Sequence, residues 1–192
     1  MAALAVVAGC GGGERQDANE PEGTYKVEVT RADFPGSQKL AKSSKLEIVV
    51  KNVDSKTIPN IAVTVHGFDQ RVNESDLADP RRPVFVVNGS PQEIGGLPES
   101  RADAPRGGDT AYVDTWALGE LKPGQVRTFE WSVTAVEAGP YHLSYEVSAG
   151  LDGKAKAVTT AGQRVAGVFT GTITNKPPNA RVADDGHTII RE

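Results

Sequence analysis

Side chains able to do chemistry are few and scattered along the 192 residues. The soft or borderline metal ligands are one cysteine, one methionine and three histidines: Cys10, Met1, His66, His142 and His187. No pair of them stands at H-x-H, HExxH or CxxC spacing, so a zinc site has no support. A blue-copper centre needs a thiolate, two imidazoles and usually a thioether, and here the thiol and thioether lie apart from every histidine, at the chain start. Acyl transfer lacks its G-x-S-x-G elbow. The chain has 25 Asp and Glu, too many to single out a glycosidase pair. NVDS (52–55), ESDLAD (74–79) and ADDG (183–186) offer hard oxygen donors, but none has EF-hand spacing, so solvated turns are expected. No metal or cofactor is expected, and no enzymatic activity.

What remains is recognition chemistry. Arg71, Arg81, Arg82, Arg101 and Arg106 cluster in residues 69–110 of an otherwise acidic chain. A guanidinium is planar and donates two parallel hydrogen bonds, which suits carboxylate or phosphate groups. Just beyond stand Tyr112 and Trp116. Their shared alternation face is expected to be core, and if exposed instead they would anchor a ligand surface. The formal charge of −4 and pI near 5.5 argue against nucleic acid or a polybasic membrane surface as partner.

The elements that must position these groups read as strands. Tyr25, Val27 and Val29 alternate with Lys26, Glu28 and Thr30; Leu46, Ile48 and Val50 share a face, as do Ile61, Val63 and Val65. Phe129, Trp131 and Val133 repeat the pattern, as do Tyr141, Leu143, Tyr145 and Val147. Period two puts one face on a core and the other in water. Strands are expected near 24–31, 45–53, 60–67, 126–136, 141–149, 154–160 and 164–174, with others near 83–88, 111–117 and 180–190. Turn-rich breaks (52–60, 121–125, 137–140, 150–154) separate them, and ADDGH (183–187) reads as a tight hairpin turn. Helical spacing is scarce; VNESDLAD allows one turn with Asn73 as cap. His66 and His142 fall on polar faces and His187 in the hairpin, so all three are expected at the surface. The pattern predicts an all-β antiparallel sandwich.

Two resemblances refine this reading. Val7-Ala8-Gly9-Cys10 resembles the lipobox of bacterial lipoproteins, following the apolar run from Ala2 to Ala8. The resemblance implies diacylglyceryl on Cys10, removal of residues 1–9 as a signal-peptide remnant, and an extracytoplasmic protein anchored in a bacterial bilayer. No Lys or Arg precedes Arg15, whereas a signal peptide needs a positively charged start. A start upstream of Met1 keeps the lipobox, and Met1 as the true start counts against export. Two acyl chains anchor stably where one binds marginally. Residues 10–23, glycine-rich and polar, read as a tether with a span of roughly 20 Å.

KLEIVVKNVDSKTIPNIAVTV and LGELKPGQVRTFEWSVTAVEAGPYHLSYEV resemble bacterial extracellular immunoglobulin-like domains of the adhesion-related and conserved-repeat types. The matching residues are Asn52, Leu121, Pro123, Gly124, Phe129, Trp131, Ala138, Gly139 and Tyr141; they imply fold and not activity. One immunoglobulin-like domain is therefore expected over 24–192, with a long inter-strand insertion at 69–110 that the fold does not require and a C-terminal hairpin. The expected function is a non-catalytic binding, adhesion or spacer module that meets an unknown envelope protein or anionic polymer, and no nucleic acid. The alternatives are an accessory subunit of an envelope transport or secretion complex, or a small hydrolase with its site in 69–110.

Overall fold

A computed structural model describes residues 20–68, 70–73, 81–91, 114–176, 180–184, 187 and 189–191. Among these the chain forms only strands of any length. They begin with β1 (Gly23–Asp33), β2 (Ser37–Lys39), β3 (Ser43–Asn52) and β4 (Ala62–His66). There follow β5 (Arg71–Asn73), β6 (Arg81–Pro83), β7 (Phe85–Gly89) and β8 (Thr115–Ala117). The long central pair is β9 (Val126–Ala135) and β10 (Gly139–Ser148), then β11 (Ala155–Val158) and β12 (Ala166–Thr174). A hairpin of β13 (Ala180–Val182) and β14 (Ile189–Arg191) ends the chain, as expected.

Two five-stranded sheets face each other, ordered β11-β1-β3-β9-β7 and β2-β12-β10-β4-β8. Strands β1-β3-β9-β7 occupy the places of A-B-E-D in an immunoglobulin domain, and β12-β10-β4 those of G-F-C. After β1 the chain crosses at Phe34 to the second sheet, where β2 runs parallel to β12. The fold is an immunoglobulin-like sandwich.

The core is where the alternation puts it. Phe129, Trp131 and Val133 of β9 are fully buried, and so are Leu46, Ile48 and Val50 of β3, which pair with that strand. Leu143, Tyr145 and Val147 close the core from β10. Trp131 stacks on Phe129 at 6.1 Å and meets Trp116 edge-on at 5.2 Å. Outward positions of the first sheet carry cross-strand ion pairs, Arg31–Glu47 at 3.0 Å and Lys45–Glu130 at 2.9 Å.

Two expectations need correcting. Part of 69–110 belongs to the sandwich, because the apolar run PVFVV is used as a sheet edge: β7 pairs with β9, and Val84 and Phe85 are core. Of the expected strand at 111–117, Thr115–Ala117 form β8, Asp114 is a turn residue, and residues 111–113 lie outside the described residues. Asp114 has a left-handed backbone with φ 62°, which breaks the alternation drawn through Tyr112, Asp114 and Trp116. Asn73 ends strand β5, and residues 74–79, where the sequence allows one helical turn, lie outside the described residues.

Candidate functional site

The two ends of the sandwich differ. At the end where β1 begins, Asn52 is a fully buried polar residue whose side chain is fully engaged. Its Nδ2 donates to Lys56 O at 2.9 Å and Leu121 O at 2.8 Å, and its Oδ1 accepts from Asp54 N at 2.9 Å. Gly124 N donates to Asn52 O and Asn52 N to Gln125 O, so the L-x-P-G turn is clamped to the end of β3. Asp54 in turn accepts from Lys26 N at 2.8 Å, which holds its carboxyl below the usual range against a smaller opposing effect of burial. Glu20 lies at this end too: its carboxylate accepts from Leu151 N at 2.6 Å and from Asp152 N at 3.2 Å. Among the described residues the docked chain thus reaches back to Glu20, inside the stretch the sequence assigns to the tether.

At the opposite end β5 and β6 form a hairpin whose base is closed by Val84 N donating to Gln70 O at 3.1 Å. Register places Arg81 across from Asn73 and Arg82 across from Val72, so Arg71, Arg81 and Arg82 come together on one hairpin. Cys10, Arg101, Arg106 and Tyr112 lie outside the described residues. Trp116 is 7% exposed and edge-on to Phe68 and Trp131, so it is a core residue and no surface anchor. His66, His142 and His187 are exposed. Among the described residues no three His, Cys, Asp or Glu side chains gather to hold a metal ion, and no helix is long and apolar enough to cross a membrane.

The cavity that sequence reading missed lies on an open side of the sandwich. Strand β11 pairs with β1 only over Gly23–Lys26, in parallel, and the chain then leaves toward β12. From Val27 onward the outer side of β1 has no ladder partner among the described residues. Between that bare edge and the β11–β12 connection runs a groove of about 420 Å³, lined by Val27, Val29, Tyr145, Val165, Thr159 and Arg164. Burial pushes the Tyr145 hydroxyl's pKa up. Glu146 grips the Arg164 guanidinium through two side-chain hydrogen bonds and keeps it charged. Apolar walls, the hydroxyls of Thr159 and Thr160 and a paired guanidinium suit binding. The alternation flagged Val27 and Tyr145 as core, but nothing local marks where β11 stops.

No family model matches the chain, and no curated protein does. Solved structures share the sandwich. A CARDB domain from Pyrococcus furiosus is 15% identical, with 80% of this chain and 94% of that one covered and a TM-score of 0.41. A human ASH/PapD-like domain is 10% identical, covering 90% and 100%, at 0.39. E. coli alpha-2-macroglobulin is 15% identical over 83% of this chain and 8% of that one, at 0.42. Similarity at this level concerns fold alone.

Proposed function

We propose that the chain is a lipid-anchored, extracytoplasmic binding module, with acyl chains on Cys10, that holds an anionic envelope polymer and performs no covalent chemistry. The polarity of the sandwich carries this reading. Glu20 fixes the incoming chain at the end where β1 begins. The arginine hairpin leaves from the end where β9 finishes and β7 starts. The eleven residues of β1, at about 3.3 Å each, separate the two ends by roughly 35 Å. An anchor before Glu20 therefore holds the arginines on the side away from the bilayer, where a polymer carrying phosphate or carboxylate reaches them.

Two measurements test it. Expressed with its full leader, the wild-type protein partitions into detergent with the membranes and has an intact mass beginning at an acylated Cys10; Cys10→Ala stays uncleaved or is released. A mature chain that still begins before Cys10 overturns the anchor. For binding, long-chain polyphosphate serves as probe with the full chain. Arg81→Glu with Arg82→Glu is expected to weaken binding at least about tenfold, and added salt to weaken the wild type. Equal binding by the variant overturns the ligand assignment.

A further inference from the structure

The bare stretch of β1 has a charge order that complements itself. Lys26-Val27-Glu28-Val29-Thr30-Arg31-Ala32-Asp33 reads plus, neutral, minus, neutral, neutral, plus, neutral, minus. Laid antiparallel against a second copy about a dyad between Val29 and Thr30, Glu28 meets the partner's Arg31 and Arg31 the partner's Glu28. Val27 meets the partner's Ala32, and the Lys26 and Asp33 side chains flank the pairing.

Faces agree as well as charges. Register with β3 sets Glu28 opposite Lys51, Arg31 opposite Val49 and Asp33 opposite Glu47, all outward positions. Val27, Val29 and Ala32 stand opposite the buried Asn52, Val50 and Ile48; Val27 is itself buried, Val29 half-buried and Ala32 exposed at the open edge. The shift at Thr30 is what brings Glu28 and Arg31, three residues apart, onto one face. Without it an antiparallel self-pairing would put one charge of each pair inside.

We propose that this edge is an interface between two copies of the chain, which join their first sheets through β1 into one continuous sheet. Edge strands left open invite such pairing. The bulge that twists the edge away from a flat foreign strand sits at the dyad, so each copy meets an edge with the same twist. The partner's strand then lies along the mouth of the groove walled by Val29, Tyr145 and Val165 and covers the half-buried Val29. Glu28 forms no ion pair among the described residues, whereas Arg31 already holds Glu47 and Asp33 at 3.0 and 3.5 Å. The partner's Glu28 therefore joins an existing charge cluster.

The test is sedimentation velocity of the full chain under reducing conditions, so that Cys10 cannot cross-link, at concentrations on the order of 100 µM, where small interfaces populate dimers. The wild type is expected to form a dimer that weakens with added salt. Glu28→Arg sets two like-charge pairs across each dyad and should raise the dimer dissociation constant at least about tenfold. Glu28→Arg with Arg31→Glu restores the pairing across the dyad in reversed sense while giving up the contacts to Glu47 and Asp33, and should lower the constant again from the Glu28→Arg value. A monomeric wild type, a Glu28→Arg variant that dimerises like wild type, or a double variant that dimerises no better than Glu28→Arg overturns the proposal.

Discussion

Asn52 gives the sharpest test of how the sandwich is closed at the end where the chain enters. Asn52→Ala removes two donated bonds and one accepted bond from a fully buried side chain. Leu121 O keeps the bond from Ile58 N at 2.9 Å, so its loss is partial, whereas Lys56 is exposed and Asp54 half-buried. At about 1 kcal/mol per bond the change costs about 3 kcal/mol. For a domain of this size that lowers the melting midpoint by roughly 6–12 °C. Asn52→Asp has nearly the same shape but a different chemistry. The introduced carboxyl keeps the acceptor for Asp54 N and aims its other oxygen at two carbonyls, where only the protonated form can donate. Its folded pKa must rise above the unfolded value near 3.9. Stability from a group with a raised folded pKa is present below the unfolded value and is lost as pH rises through the folded one. In urea unfolding, the deficit of Asn52→Asp against wild type should therefore grow from pH 4.5 to pH 7.5, while that of Asn52→Ala stays level. A cost below about 1 kcal/mol for alanine, or a pH-independent deficit for aspartate, refutes the clamp.

Two further outcomes follow from the same geometry. Trp131→Ala empties the centre of the aromatic cluster with Phe129, Phe68 and Trp116; denaturant unfolding should show a loss of about 3–5 kcal/mol, and a loss near zero would mean that the cluster does not carry the core. Asp54 has a depressed folded pKa, so its contribution is present above the unfolded carboxylate value and is lost as pH falls through the folded one. The stability gap between wild type and Asp54→Asn should thus close in acid, and a gap that persists there would show that the bond from Lys26 N does not depend on the charge.

Strand faces were readable because side-chain alternation is a local property: Trp131, Leu143 and Val63 are buried where period two puts them. The Asn52 and L-x-P-G positions were readable as a pattern, and the structure supplies its cause, since one buried amide ties both turns together. What the sequence concealed depends on partners distant in the chain. Strand β2 is three residues long and exists through its parallel pairing with β12, over 130 residues away. The sequence puts the strand near 83–88 within an insertion that the fold does not require, yet Phe85 of β7 meets Phe34 and Tyr141 edge-on at 5.6 and 5.4 Å.

The open edge of β1 belongs to the same class. Its residues alternate like those of any half-buried strand, and no local signal says whether a neighbour covers both sides. That is decided by β11, which supplies four residues and then turns away at Val158 toward the other sheet. Had β11 continued, the charges of Glu28 and Arg31 would decorate an interior strand and their order would carry no consequence. Because it stops, the same order faces an unfilled row of backbone groups, and the shift at Thr30 sets both charges on one side of it. Self-complementarity is thus a property of an eight-residue sequence that acquires meaning only from a strand ending more than a hundred residues later.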